Sequence, residues 1–203
     1  MNTSAARQVA DVSNSEESIS NPDMDAALMP QIAEGSDAAM RMIIEHWKQP
    51  IVNYFYRSVN NLHTAEDLAQ QTFINIYRAA PSYSPKAKFS TYIFHIARHV
   101  LINEYRKVSR RPADATDPDE IIYAVDGRSE LNLSELEEIF AKTLETLPEN
   151  QRTAILLLKQ QELSYEEIAD AMKASVGAVK TWIHRARQTL RDALTVTRGN
   201  ASK

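Results

Sequence analysis

Residues 164–187, SYEEIADAMKASVGAVKTWIHRAR, constrain the fold of this chain more than any other stretch. Ser164 followed by Glu167 forms a capping box, which predicts the start of a short helix. Residues 173–175 then form a tight turn, and Ser175 can cap a second helix by accepting a backbone N–H. These signals predict a helix-turn-helix. The second helix has one narrow apolar stripe, formed by Val176, Val179, Ile183, Ala186 and Leu190.

The opposite face of the second helix is basic and polar, as is typical of a helix that enters the major groove of DNA. Gly177 would let the backbone near Ser175 approach a phosphate closely. A solvated amphipathic helix in an ordinary bundle is the alternative interpretation. The candidate DNA-binding residues of this helix are Ser175, Gly177, Lys180, Thr181, Trp182, His184, Arg185 and Arg187.

Charge along the chain alternates in sign, although the net charge is only −4. Residues 1–37 hold 1 basic and 7 acidic residues, 38–111 hold 11 and 4, 112–151 hold 2 and 11, and 152–203 hold 9 and 5. Phosphate attraction depends on the local field, so two basic blocks separated by acidic segments predict two nucleic-acid-facing units on a tether.

The N-terminal part of the chain has helical periodicity. We expect disorder in residues 1–22 and a short helix over 23–33. A long helix is predicted from a cap at Ser36, with a kink or break at Pro50. A second helix is predicted to start with a cap-like pair, Thr64 and Asp67, to carry Leu68, Phe73, Ile76 and Tyr77, and to end at Pro81. Its polar outer face suits a protein partner.

A third predicted helix, FSTYIFHIARHVLINEYRKVSRR, and the loop before it combine cations with aromatic rings. This combination suits single-stranded or locally opened DNA, because unpaired bases stack on rings while cations hold the backbone. Alternatively, most of the rings, Phe89 among them, belong to the core. The candidate residues are Tyr83, Lys86, Lys88, Tyr92, His95, Arg98, His99 and Arg106.

Composition argues against other classes of function. The chain has no cysteine and only four glycines, and it carries no glycine-rich phosphate loop and no HExxH motif, so we expect no catalysis, no cofactor and no metal site. The five histidines lack ligand spacing. No apolar run reaches the roughly 20 residues of a membrane span. We therefore expect a soluble, cytoplasmic protein.

Three segments in a fixed order resemble the extracytoplasmic-function, or group IV, sigma factors of the sigma-70 family. They are AEDLAQQTFINIYRAAPSY, FSTYIFHIARHVLINEYRK and, after an acidic spacer, LPENQRTAILLLKQQELSYEEIADAMKASVGAVKTWIHRARQTL. The resemblance covers about residues 38–107 and 134–195. It implies an all-α fold with two small helical domains, region 2 over 38–111 and region 4 over 134–197. An acidic extension (1–37), a flexible linker (112–133) and a tail (198–203) complete the predicted organisation.

By this resemblance the chain is a specificity subunit of bacterial RNA polymerase. Region 2 would bind the beta-prime clamp of the core enzyme and would melt and read the −10 element through the candidate residues of the third helix and its loop. Region 4 would read the −35 element as duplex and meet the beta flap, and an anti-sigma factor would hold the protein inactive. The candidates for core binding are Asp67, Leu68, Gln70, Gln71 and Phe73.

Several positions depart from the family pattern, so the promoter sequence is not predicted. His99 stands where Asn is common, Tyr92 stands where Trp is common, and Trp182 stands where a basic residue is common.

In the C-terminal part of the chain we also predict a capping box at Ser134 and Glu137 and a helix with Pro148 in its first turn.

Two other functions remain compatible with the residues alone. One is a stand-alone helix-turn-helix regulator that does not bind polymerase. The other is a helical adaptor that binds only proteins, for which no salt-dependent DNA affinity is expected. The acidic extension could in addition shield a basic face in cis.

Overall fold

A computed structural model describes residues 22–109 and 133–200, and all regular structure in that part of the chain is helical. The predicted linker, residues 112–133, falls almost entirely outside the described residues. We call α1–α4 the N-terminal half and α5–α8 the C-terminal half. The helices are α1 Pro22–Ala33, α2 Asp37–Val59, α3 Leu62–Ala79, α4 Phe89–Val108, α5 Leu133–Thr146, α6 Glu149–Gln160, α7 Tyr165–Met172 and α8 Val176–Asn200.

Helix α2 forms the spine of the N-terminal half. The Ser36 hydroxyl accepts from the Ala39 N–H at 3.2 Å, which confirms the predicted cap. The helix runs on through Pro50 to Val59, so it does not break there, and the alternative of a kink at Pro50 stays a prediction. Asn60 ends it in the left-handed conformation, with φ 50°.

The start of α3 differs from the prediction. The Asn61 side chain caps the helix by accepting from the Thr64 N–H at 2.8 Å, so Thr64 and Asp67 lie inside the first turns instead of forming the cap. Asn is a strong N-cap residue because its short side chain reaches the free amides of the first turn. A 3₁₀ turn, Ala80–Ser82, then leads into the loop before α4.

Helix α1 confirms the short helix predicted over 23–33 and begins one residue earlier, at Pro22. Met29 and Ile32 are buried against the bundle, and Asp25 accepts from Trp47 Nε1 at 3.0 Å and lies 3.1 Å from His46 Nδ1. A buried carboxylate needs such partners to offset its desolvation. Residues 22–33 therefore pack on the bundle, within the stretch 1–37 that was predicted as an acidic extension. Residues 1–21, for which disorder was predicted, lie outside the described residues.

The C-terminal half builds the helix-turn-helix on a short bundle. Helix α5 already includes Leu133, so the predicted capping box at Ser134 does not start it. Pro148 is the N-cap of α6, one residue before the first turn that the sequence predicted. Helix α8 packs on α5, α6 and α7 and continues to Asn200, beyond the predicted domain end at 197.

The two halves pack against each other. Helix α4 packs against α7, and α2 packs against α5 and α6. The buried apolar side chains of both halves form one continuous cluster, and the Tyr54 hydroxyl of α2 lies 3.5 Å from the Thr153 hydroxyl of α6. Among the described helices, none combines the length and the apolar character that crossing a membrane requires.

Candidate nucleic-acid interface

The helix-turn-helix predicted from residues 164–187 is present, with its caps. The Ser164 hydroxyl accepts from the Glu167 N–H at 3.2 Å, and the Glu167 carboxylate accepts from the Ser164 N–H at 2.8 Å. Lys173 takes the left-handed conformation at the end of α7, and Ser175 caps α8 by accepting from the Ala178 N–H at 3.2 Å. The turn therefore fixes the angle between the two helices by backbone and cap geometry.

Helix α8 has one buried side and one exposed side. Val179, Ile183 and Ala186 are fully buried, while Val176 and Leu190 are partly buried at the ends of the stripe. Trp182 is partly buried against the core, so it does not stand fully outward as the sequence predicted. The other candidates for duplex binding are all exposed: Ser175, Gly177, Lys180, Thr181, His184, Arg185 and Arg187.

The loop before α4 and its first turns form an aromatic cluster. Tyr83 and Tyr92 meet edge-on with ring centroids 4.8 Å apart, and both rings contact the buried Phe89. Phe89 is thus a core residue, while the two tyrosines are half-buried. The Tyr83 hydroxyl is buried and has no hydrogen-bond partner among the described residues. Burial raises the pKa of both phenols, so they stay protonated and can donate.

Three cationic or polar candidates of this segment already contact the C-terminal half. Lys88 Nζ lies 2.7 Å from a Glu167 carboxylate oxygen, and His95 Nδ1 lies 2.9 Å from the Ala171 carbonyl oxygen. Arg98 donates to the Asn150 side chain at 2.9 Å and to Glu149 at 3.3 Å. The structure therefore places these three residues in contacts between the halves. The remaining polar candidates, Lys86, His99 and Arg106, are exposed.

Two titratable groups at this contact, His99 and Glu167, have pKa values below their ordinary ones. Partial desolvation by its neighbours lowers the pKa of His99, and His95, Arg98, Lys173 and Arg106 lower it further because they repel its protonated form. Burial alone raises the pKa of Glu167, but hydrogen bonds from Lys88 and Ser164 outweigh it, and the net pKa lies below its ordinary value. Glu167 is therefore ionised at neutral pH and holds the Lys88 ammonium.

The five candidates for core binding on α3 differ in exposure. Asp67, Gln70 and Gln71 lie on the exposed polar face, whereas Leu68 and Phe73 are each only 7% exposed and belong to the core. The assignment of these five residues to polymerase binding stays a prediction.

Two apolar residues of α3 are exposed that the sequence did not single out for binding. Ile74 is 44% exposed, and Tyr77 is 52% exposed. They border an open groove of about 620 Å³ between α2 and α3, whose apolar wall also includes Met40, Ile44 and Phe73. Their apolar character at the edge of a polar face was the signal available in the sequence.

Comparisons with known proteins agree with this geometry. The family described as "Sigma-70 region 2" matches residues 43–111, and "Sigma-70, region 4" matches residues 137–190. The ECF RNA polymerase sigma factor SigW of Bacillus subtilis is 31% identical over 81% of this chain and 93% of its own length.

Two solved structures have a similar fold. CnrH, solved in complex with the cytosolic domain of CnrY, superposes with a TM-score of 0.64 at 25% identity over 85% of this chain and 97% of its own. The sigma factor RpoE of Bartonella quintana, solved with the anti-sigma factor NepR, has a TM-score of 0.64 at 23% identity over 77% of this chain and 96% of its own. The chain belongs to the extracytoplasmic-function RNA polymerase sigma factors of the sigma-70 family.

Proposed function

We propose that this sigma factor directs core RNA polymerase to specific promoters by reading duplex DNA with α8 and opened DNA with α4 and its loop. The observation that carries this proposal is the capped helix-turn-helix, in which α8 buries one apolar stripe and exposes Lys180, Thr181, His184 and Arg185 on the other side. A helix of this shape and charge fits the major groove, where side chains reach base edges.

The second part of the proposal concerns strand opening. The rings of Tyr83 and Tyr92 can stack on unpaired bases, and the exposed Lys86 nearby in the loop can hold the DNA backbone. A base taken from the stack costs a few kcal/mol of lost stacking, which ring and backbone contacts at such a site offset. Phosphodiester synthesis stays with the polymerase, and this chain is not itself an enzyme.

The third part concerns protein partners. The exposed face of α3, with Asp67, Gln70 and Gln71 beside the apolar groove, supports docking on the core enzyme, as the family resemblance implies. An anti-sigma factor and cytoplasmic action follow from the same resemblance. That CnrH was solved with a protein partner, the cytosolic domain of CnrY, is consistent with this expectation.

The decisive experiment is run-off transcription with purified core polymerase and a library of native upstream fragments. The full chain is expected to initiate RNA from a subset of fragments and to co-elute with the core enzyme. If no fragment yields RNA and the two proteins do not associate, the proposal is wrong. Tight binding of promoter duplex without any polymerase association would favour a stand-alone regulator.

Variants of α8 sharpen this test. Arg185→Ala is expected to cost roughly 1–3 kcal/mol of discrimination at one base pair if its guanidinium binds a guanine. Arg187→Ala is expected to weaken binding on all fragments and to lower the salt slope by about 1, as loss of a phosphate contact does. Lys142→Ala is the matched control, because Lys142 is exposed on α5 and pairs with Glu138 within that helix.

A further inference from the structure

A buried carboxylate lies near the start of α1, away from the residues proposed to bind DNA and polymerase. Asp25 is 6% exposed, and its Oδ2 accepts from Trp47 Nε1 at 3.0 Å and lies 2.9 Å from His46 Nδ1. Met29 and Ile32 already bury the apolar side of α1, so packing alone does not require an acid here. Burying a carboxylate costs free energy unless donors surround it, and in some proteins such a group is retained because it fixes one arrangement of the core.

The hydrogen bond to Asp25 selects one orientation of the Trp47 indole. Trp47 is 7% exposed, and in an apolar pocket a flat ring can be turned over by rotation about χ2 with little change in buried area. Only one of the two orientations points the Nε1–H at Asp25, and a buried indole N–H needs an acceptor. Loss of this hydrogen bond therefore removes the preference for the observed ring position.

Ring contacts connect Trp47 to the two tyrosines of the loop and of α4. The ring centroids of Trp47 and Phe89 are 5.9 Å apart, and Phe89 lies 6.4 Å from Tyr83 and 5.9 Å from Tyr92. Ring pairs at these separations have preferred relative orientations. Because Phe89 is fully buried and protein interiors are close-packed, a shift of the indole is passed through Phe89 to both phenols.

Tyr83 depends on this support, and α1 also contacts the backbone before it. The Tyr83 hydroxyl is buried and has no hydrogen-bond partner among the described residues, so the packing of its ring sets its position. The 3₁₀ turn Ala80–Ser82, which leads directly into Tyr83, packs against α1. Helix α1 therefore supports the tyrosine from the side of the rings and from the side of the chain.

We propose that Asp25 is a positioning residue for promoter opening, which holds Tyr83 and Tyr92 in the geometry that receives unpaired bases by acting through Trp47 and Phe89. This inference rests on the proposed role of the two tyrosines in binding opened DNA. Asp25 itself does not touch the DNA. Residues that bind a ligand need such a supporting layer, because they must be held within about 0.5 Å of the productive geometry.

NMR of the free protein tests the positioning step without any DNA. The chain has two tryptophans, Trp47 and Trp182, so a ¹⁵N spectrum contains two indole N–H signals, which Trp47→Phe assigns. Asp25→Ala is expected to shift the Trp47 signal and the ring signals of Tyr83 and Tyr92. Asp25→Asn keeps an oxygen acceptor and is expected to leave these signals nearly unchanged. Unchanged tyrosine signals in a folded Asp25→Ala variant would overturn the proposal.

Opening is measured with the holoenzyme on a fragment that the run-off assay finds active, by the permanganate reactivity of unpaired thymines. Tyr92→Ala is expected to lower the yield of open complex about ten-fold, as loss of one stacked base does. Asp25→Ala is expected to lower it about three- to ten-fold through the same site, and Asp25→Asn to restore it. Because both residues act at one site, the double variant of Asp25→Ala and Tyr92→Ala is expected to open no less than Tyr92→Ala alone.

Two further variants separate positioning from stability. Leu101→Ala is the matched control, because Leu101 is buried in the same half roughly three turns beyond Phe89 along α4, and it is expected to leave opening unchanged. An equal loss of opening in Leu101→Ala, or additive losses in the double variant, would overturn the proposal. If Asp25→Ala does not fold, Trp47→Phe breaks the same hydrogen bond from its donor side, keeps an aromatic ring, and is expected to show the same loss.

The same assay separates this inference from the proposed function. Normal opening by Tyr92→Ala would show that the tyrosines do not bind opened DNA, and the proposed function of this segment would fail together with the inference. A defective Tyr92→Ala combined with normal opening by Asp25→Ala and Trp47→Phe would overturn the role of Asp25 alone.

Discussion

Helices α4 and α8 both place basic side chains opposite a buried apolar stripe, but they differ in what those side chains contact. On α8, Arg185 and Arg187 are exposed. On α4, Arg98 is held by Glu149 and Asn150 of the other half. Two helices with the same amphipathic pattern therefore differ in exposure: the basic side of α8 is accessible to solvent, and part of the polar side of α4 is in contact with the other half.

The reason for the difference lies in the neighbours of each helix. Helix α8 packs on α5, α6 and α7 of its own half with its apolar side. Helix α4 packs on α3 with one side and on α7 with another, so its polar residues come within reach of α7 and of the start of α6. Amphipathic character sets which side of a helix is apolar, and packing decides whether the other side meets water or protein.

The largest expected effects on stability come from the buried apolar sides, in which the two helices are alike. Ile93 on α4 and Ile183 on α8 are both almost completely buried. Ile93→Ala and Ile183→Ala are each expected to lower the free energy of unfolding by roughly 2–5 kcal/mol, through lost burial and the cavity left behind. Thermal and urea denaturation followed by circular dichroism measure this. If only one of the two variants were destabilised, the buried sides of α4 and α8 would not contribute alike to stability.

For the basic sides we expect smaller changes in stability, and here the two helices should differ. Arg98→Ala removes the donor that Glu149 and Asn150 share in a partly buried contact, and we expect a loss of roughly 1–3 kcal/mol in the free energy of unfolding. Arg185→Ala changes an exposed residue and is expected to alter stability by less than about 0.5 kcal/mol. Urea denaturation at matched ionic strength compares them. Equal stability of the two variants would contradict the occupied state of the α4 face.

The smallest expected effect is a pH dependence at His99. Its folded pKa lies below the ordinary value of 6.5, so the neutral form is favoured in the folded chain. The stability linked to it is fully present above 6.5 and is lost as the pH falls through the lowered folded pKa. His99→Gln is expected to flatten this part of the stability profile.

The charge of Lys173 makes the pKa of His99 sensitive to the contact between α4 and α7. It belongs to the turn after α7, and its charge lowers the pKa of His99 on α4. Lys173→Ala is therefore expected to raise that pKa, which an NMR titration of the imidazole signals measures. An unchanged pKa would mean that α7 does not stay close to α4 in solution.

Local signals in the sequence predicted the elements well where the responsible groups are neighbours along the chain. The capping box of Ser164 and Glu167 and the caps at Ser36 and Ser175 were predicted correctly, since each involves residues three positions apart. A prediction failed where a nearby competitor was the better cap, as Asn61 was for α3. The site residues assigned to DNA and polymerase stay predictions.

The amino-acid sequence by itself determined an all-helical chain, a helix-turn-helix with a basic face, and membership of the sigma factor family, because helix periodicity, caps and charge are local properties. Only the tertiary structure decided that Asp25 of α1 belongs to the core, that Tyr77 is exposed, and that Lys88, His95 and Arg98 face the other half. These contacts join residues between about 20 and 80 positions apart, as their separations of 22, 76 and 51 show for Asp25, His95 and Arg98. No local pattern encodes such pairings, since they depend on how whole helices pack.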